Sequence, residues 1–517
     1  MGAGRGRGRL LSVAAVVVAV ATVTGVQASR QAERAAVSTD RADALRLRNL
    51  ALAEPATDRA LLYAVQAVRL DGTPATRSVL LSVLNRSPQL IGVRHVPPSS
   101  VGPRRNGVVS HRGDRSASVT SDRTVSVWDV PTGDRIEQLY GHAATIRTLE
   151  FGPDDTTLVS TDETGTVLTW DLRGDRRFAP RYAGIEPTRG ARTTMVARPD
   201  GTAVASVGFR PGATWLRIVS LTGSAGSAPF GMRDGGRISP VWRPDGVRLA
   251  TTDSEGLLAT WDPATGALLD GHASLAWIRA ALAYTPDGQT ILAASRGGRL
   301  YRVDADSLAL DGDLVDVGDR LGVVAAGPRG RLAAVLGAAA RSEELRLTRY
   351  AVIDLAGSRV VRRGTLDFDA TALAFAPDGR RLAIAGQLGE LMLLDIRTGQ
   401  PARPTVIGHN ASVLSVAYSA DGSRIVTGGY DGRVVLWHAR TGEVLGSLRP
   451  GAAGTAARPI FLPDGHTVLI PAEDGSVARW DARPAAWLDF ACRVAGRDMT
   501  AAEWERALGD RPYRKTC

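Results

Sequence analysis

The spacing of apolar residues changes once along the chain, near Gln89. Before that point it is helical. "TDRALLYAVQAVRL" sets Leu61, Leu62, Val65 and Val68 on one face at a period near 3.6. Upstream, "QAERAAVSTDRADALRLRNLALA" is rich in Ala, Leu and Arg and reads as helix up to Pro55. Thr73 followed by Pro74 reads as an N-cap and first-turn proline opening "ATRSVLLSVLNR". The pattern predicts two or three short helices over 29–88, their apolar stripes packed on one another or on the next domain.

From Gln89 to about residue 482 short alternating runs replace the helical period, broken by Gly-ended turns. The stretch "SADGSRIVTGGYDGRVVLWHARTG" (419–442) shows the unit: Ile425–Thr427, a five-residue turn, Val434–Trp437, and a second turn ending at Gly442. Equivalent third-strand ends are Trp128-Asp129, Trp170-Asp171, Val219-Ser220, Trp261-Asp262, Val303-Asp304, Ile353-Asp354, Leu394-Asp395, Trp437-His438 and Trp480-Asp481. Their spacings are 42, 49, 42, 42, 50, 41, 43 and 43 residues. A turn tripeptide keeps the same beat at Pro199-Asp200-Gly201, Pro244-Asp245-Gly246, Pro286-Asp287-Gly288, Pro377-Asp378-Gly379, Ala420-Asp421-Gly422 and Pro463-Asp464-Gly465. Four strand-sized runs repeated at this period predict an all-β propeller, one four-stranded blade per unit.

At these residues the chain resembles the WD-repeat (WD40-type) β-propellers, and the resemblance covers about residues 89–482. In that family a Gly-His, a Ser or Thr, a turn Asp and the Trp form a structural tetrad. One unit keeps all four as His409, Thr427, Asp431 and Trp437. Two others keep Gly141-His142 and Gly271-His272, with Thr164 and Gly297 at the turn position. The resemblance implies that the His/Thr/Asp set locks a blade and is not catalytic. It also implies closure by an N-terminal strand, here "QLIGVRHV", lent to a last blade that lacks its fourth strand. The expectation is one ring of about nine blades, although eight is the usual upper size.

Charge alters the picture at the chain's beginning. The formal net charge is +10, and residues 1–100 carry 13 Arg against 6 Asp and Glu, so most of the excess flanks the start. The repeats are close to neutral, which argues against a nucleic-acid-binding face. Lys515 is the only lysine and follows no Gly-rich loop, which excludes a P-loop nucleotide site. Arg5, Arg7 and Arg9 precede an uncharged run, Leu10–Val26. That run is the short end of a membrane-spanning helix, with the arginines favouring a cytoplasmic N-terminus and an extracytoplasmic remainder. Val26-Gln27-Ala28 equally suits cleavage of a signal peptide near Ala28. The organisation expected is a membrane anchor or signal segment (1–28), a helical stalk (29–88), the propeller (89–482) and a helical hairpin tail (483–517).

In the tail, Trp487, Phe490, Ala491 and Val494 share a helical face ended by Gly496. Thr500-Ala501-Ala502-Glu503 has the capping-box pattern. Its context resembles the membrane-tethered sensor half of actinobacterial multidomain signalling proteins, in which a STAND ATPase or other effector is joined to a WD-repeat sensor; the effector is not in this chain. Cys492 and Cys517 are the only cysteines. Outside the cytoplasm an even count suggests a disulfide, which would also hold Trp487 and Trp504 near the propeller.

Metal and nucleophile motifs are sparse: there is no His-Glu-x-x-His, Gly-x-Ser-x-Gly or Cys-x-x-Cys. Asp311, Asp313, Asp316 and Asp319 cluster, but without the EF-hand pattern they read as a solvated loop rather than a calcium site. The sequence therefore predicts a non-enzymatic scaffold or sensor that binds a protein or peptide, needs no cofactor, and is held to a membrane by residues 10–26. The alternative is a secreted propeller lyase or hydrolase with a top-face site.

Overall fold

The structure is a computed structural model. It describes residues 6–95, 107–121, 123–172, 192–210, 213–221, 230–232, 239–252, 258–270, 281–318, 320–338, 348–448, 458–471 and 477–517. The chain forms two compact units. One contains residues 1–151, 159–169 and 488–517; the other contains residues 152–158 and 170–487. Of the repeats, residues 107–151 and 159–169 fall in the first unit, and 152–158 and 170–482 in the second.

In the first unit, α1 (Gly6–Ala53), α2 (Thr57–Leu70) and α3 (Pro74–Leu84) pack together, with α2 central. Leu61, Leu62, Val65 and Val68 are buried as their spacing predicts. Tyr63, Ala64, Gln66 and Ala67 are buried too, so α2 is enclosed on all sides instead of along one stripe. The run Leu10–Val26 lies within α1, and its side chains fall outside the described residues. Among the described residues no helix is long and apolar enough to cross a membrane.

The tail joins these helices. It carries α4 (Pro484–Ala495) and α5 (Ala501–Leu508). The Thr500–Glu503 capping box is present, with Thr500 Oγ1 accepting from the Glu503 N–H and Glu503 accepting from the Thr500 N–H. Arg511 pairs with Asp40 and Asp43 on α1, and Arg46 donates to the Arg506 carbonyl. Cys492 and Cys517 are joined in a disulfide with Cα atoms 5.4 Å apart. Trp504 is buried in this unit and donates to the Arg511 carbonyl. Trp487 belongs to the second unit, where it stacks on Trp480 at 5.9 Å and donates to the Asp481 carbonyl.

The described residues form eight four-stranded sheets and one three-stranded sheet. The first is Gly107–Val109, Arg115–Ser121, Thr124–Asp129 and Arg135–Tyr140. In the second, Ile146–Phe151, Thr157–Asp162 and Thr166–Asp171 are completed by Leu90–His95. This corrects the expected closure, since the N-terminal strand does not enter the last sheet. The reason is local tethering. Thr57 and Ser87 hydrogen-bond to the carbonyls of Gly141 and Tyr140, so a strand starting three residues after Ser87 meets the nearby open edge at Thr166–Asp171. The last sheet, Ile460–Phe461, Thr467–Pro471 and Val477–Asp481, has three strands among the described residues.

The second unit holds seven of the nine sheets. Apolar clusters join neighbouring sheets, for example Leu292 and Leu300 with Val335 and Ile353, then Leu336 and Val352 with Leu382 and Ile384. The circuit closes on itself: Leu462, Leu469 and Val477 of the last sheet pack with Ala197 and Val204 of the sheet that begins at Arg192. The turn tripeptides trace the same circuit. Each Asp accepts the N–H two residues on, and each following Gly has φ between +67° and +73°. Gly465 faces Ala420, Gly422 faces Pro377, Gly379 faces Pro328, and so back to Gly246, which faces Arg198; Gly201 then faces Leu462. The expected ring of nine is corrected to a circuit of seven, because the period that counts repeats carries no mark of which sheet meets which.

Candidate docking face

The tetrad is assembled in the sheet Val413–Tyr418, Arg424–Gly429, Val434–His438, Val444–Leu448. Thr427 lies opposite Val435, so Trp437, two residues further on, reaches back diagonally to it. The Trp437 Nε1–H donates to Thr427 Oγ1 at 2.8 Å, and His409 Nε2 meets the same oxygen at 2.8 Å. An indole N–H only donates, so the hydroxyl proton goes to Nε2, and the Nδ1–H donates to Asp431 at 3.0 Å. His409 is thereby a neutral imidazole with both nitrogens occupied. Burial lowers its pKa, against the pull of Asp431. Burial alone would raise Asp431, but the N–H groups of Asn410 and Arg433 and the His409 ring hold it below the ordinary carboxylate value.

Part of this chain recurs elsewhere. Trp128 donates to Ser118 at 3.2 Å, and Trp261 to Thr251 at 2.9 Å, each across the same ten-residue interval. His142 meets Ser160 at 2.7 Å and Asp162 at 2.9 Å. The sequence pattern pointed to Thr164 at this turn position. Asp162, two residues earlier, takes the aspartate's role and accepts from the Thr164 hydroxyl at 2.6 Å. Gly271 and His272 lie outside the described residues. The strand-end aspartates cap turns: Asp129 accepts from Thr132, Asp262 from Ala264 and Thr265, and Asp481 from Arg483. Trp170 and Trp480 are fully buried and Asp171 is 2% exposed.

The locked chain fixes three loops side by side. Gly408 N donates to the Gly389 carbonyl at 3.1 Å, Asn410 N to Asp431 Oδ2 at 3.0 Å, and Tyr430 N to the Ser412 carbonyl at 3.0 Å. Leu388 and Tyr430 on those loops, and Ile407 at the end of the strand Val406–Ile407, are 73%, 50% and 70% exposed. Sequence reasoning passed over these three. The signal was available in Tyr430, an aromatic set directly before the tetrad aspartate where the turn needs only small or polar residues.

Of the acidic cluster, Asp311, Asp313 and Asp316 lie on the strand Leu310–Asp316 instead of in a loop. Asp311 faces Arg302 at 3.4 Å, and Asp316 accepts from the Gly318 N–H at 2.9 Å. The side chains of Asp313 and Asp319 fall outside the described residues. Among the described residues no group of three His, Cys, Asp or Glu side chains has the geometry to hold a metal.

The first unit contains an ionic cluster that sequence reasoning also missed. Asp58, 2% exposed, accepts from Arg497 Nε at 2.9 Å and meets His95 Nε2 at 2.9 Å, while Arg497 makes a two-pronged contact to Glu503 at 2.8 Å on each prong. Burial alone would raise Glu503, but Arg497 and Thr500 hold its pKa down at about 2. Residues 439 positions apart are joined here, beyond the reach of any local pattern.

The model of the WD domain, G-beta repeat, matches residues 133–171 and 402–438, which contain the two His/hydroxyl/Asp chains described above. Among curated proteins, the chain is 36% identical over 77 residues to transcription initiation factor TFIID subunit 5 of Caenorhabditis elegans, covering 15% of this chain and 12% of that protein. It is 29% identical over 123 residues to nuclear distribution protein PAC1-1 of Uncinocarpus reesii, covering 22% and 26%. It is 24% identical over 197 residues to pre-mRNA-processing factor 19 homolog 2 of Arabidopsis thaliana, covering 37% and 36%. The matched stretches thus span well under half of these relatives' lengths. The chain thus carries WD repeats at residues 133–171 and 402–438, set among repeated antiparallel sheets and tryptophan-to-hydroxyl bonds.

Proposed function

We propose that the chain is a non-enzymatic scaffold whose second unit docks a protein or peptide partner through the face around His409. WD repeats indicate a protein-interaction scaffold. The observation that carries the site is the set Leu388, Ile407 and Tyr430, three large side chains left exposed on turns and a strand end that buried hydrogen bonds hold rigid. Exposed apolar groups on a rigid frame favour association, since little freedom is lost when a partner covers them. The competing reading, a lyase or hydrolase, needs a free acid–base pair. The most conspicuous His–Asp pair on this face is consumed in locking the sheet. Display outside the cytoplasm, on an anchor formed by residues 10–26, is the location we propose. It is supported by the arginines before the apolar run and by the paired cysteines.

The test is crosslinking on host membranes, comparing the native chain with Leu388→Glu/Ile407→Glu/Tyr430→Glu. Loss of a specific crosslinked species, with unfolding behaviour unchanged, supports docking here; an unchanged crosslink pattern refutes it. Protease added to intact cells tests the location, and full protection of the repeats until lysis defeats it.

A further inference from the structure

The first unit contains a groove of about 650 Å³ between α1, α2, α5 and the residues after α5. Four cations line it: Arg69, Arg511, Arg514 and Lys515. Apart from Arg511, none of them has a carboxylate partner among the described residues. The one acidic residue of the lining, Asp40, is already engaged by Arg511, which also meets Asp43. Arg69 donates to the Lys515 carbonyl at 3.2 Å, so the cationic end of the tail is held at the groove.

Gln66 also lines the groove. It is 5% exposed, and its side-chain amide makes no hydrogen bond among the described residues. An amide that opens on the groove without a protein partner is free to donate to a bound group. The lining also has an apolar side, with Leu70, Leu508 and the ring of Trp504. Concave apolar walls with a few convergent polar groups, at this size, suit a small organic ligand.

We propose that this groove binds an organic phosphate monoester with an apolar body. The phosphate dianion meets Arg69, Arg514 and Lys515, the Gln66 amide donates to one of its oxygens, and the body lies along Trp504 and Leu508. A dianion is the charge that three converging cations match, and guanidinium forks suit phosphate oxygens. This site is independent of the docking face, which lies in the other unit.

The test is isothermal titration of the full chain in neutral detergent with phenyl phosphate, beside inorganic phosphate and benzyl alcohol. Saturable binding of phenyl phosphate is expected, with each half-probe about tenfold weaker or worse. Arg514→Ala/Lys515→Ala alters two exposed side chains and is expected to weaken phenyl phosphate about tenfold at unchanged unfolding temperature. Gln66→Leu tests the amide: it is expected to weaken phenyl phosphate while sparing benzyl alcohol. Absence of saturable binding, or equal affinity in the double variant, overturns the site. Equal affinity for inorganic phosphate overturns the apolar part of the assignment.

Discussion

A Cβ atom on Gly201 would lie 2.5 Å from Cδ2 of Leu462, and Gly201 has φ +73°. These two residues come from the sheets that close the seven-sheet circuit, so their fit is where the circuit is sealed. Gly201→Val is expected to destabilise the second unit by about 2–4 kcal/mol, from left-handed strain plus overpacking. Gly113 has the same φ with nothing within 4 Å of its virtual Cβ. Gly113→Ala should therefore cost only about 1–2 kcal/mol, in the first unit. Denaturant unfolding of both variants checks this, and equal costs refute the seal.

Thr427 Oγ1 serves two buried groups at once, His409 Nε2 and Trp437 Nε1. Thr427→Val keeps the shape and orphans both, at an expected cost of about 2–3 kcal/mol. Thr427→Ser restores the hydroxyl and should recover most of that loss. Failure of serine to rescue would show that packing, not hydrogen bonding, carries the position.

Acid should weaken the second unit in two steps. His409 has a folded pKa below its unfolded value of 6.5, so the unfolded chain binds the proton more readily. The stability this provides is present above pH 6.5 and is lost as pH falls from there through the folded pKa. Asp431, held below 3.8, adds a further loss at lower pH. Melting temperatures across pH 7 to 4, for the native chain and His409→Gln, check the first step; the glutamine variant should lack it.

The Cys492–Cys517 bridge closes a loop with a sequence separation of 25. Cys517→Ser is expected to destabilise the first unit by about 3 kcal/mol in the chain-entropy model. Thiol labelling of the native chain should find no reactive cysteine before reduction and two after it. Two labelled thiols without reductant would remove the bridge and weaken the proposed location with it.

Local features of the fold were legible because local physics makes them. A Pro-Asp-Gly turn folds the same way wherever it occurs, through the Asp-to-backbone bond and the left-handed glycine, so its beat located the sheets. The Thr500–Glu503 capping box was readable for the same reason. Long-range choices were not. Leu90–His95 is an ordinary six-residue strand, and its destination depends on Thr57 and Ser87 binding Gly141 and Tyr140. The Asp162 contact was hidden because a carboxylate two residues from Ser160 reaches the same histidine nitrogen that Asp431 reaches from four residues beyond Thr427. The exposed trio escaped because apolar spacing marks what is buried and is silent about what is left out.

The ion pair between Asp40 and Arg511 joins residues 471 positions apart, with the seven-sheet unit threaded between them. During synthesis the second unit has all its sheets available before residues 488–517 emerge, whereas α1, α2 and α3 must wait for those residues to cover them. The order of completion is therefore ring first and helical unit last. A chain that stops short of Arg497 leaves Asp58 without its guanidinium and the three helices without their cover.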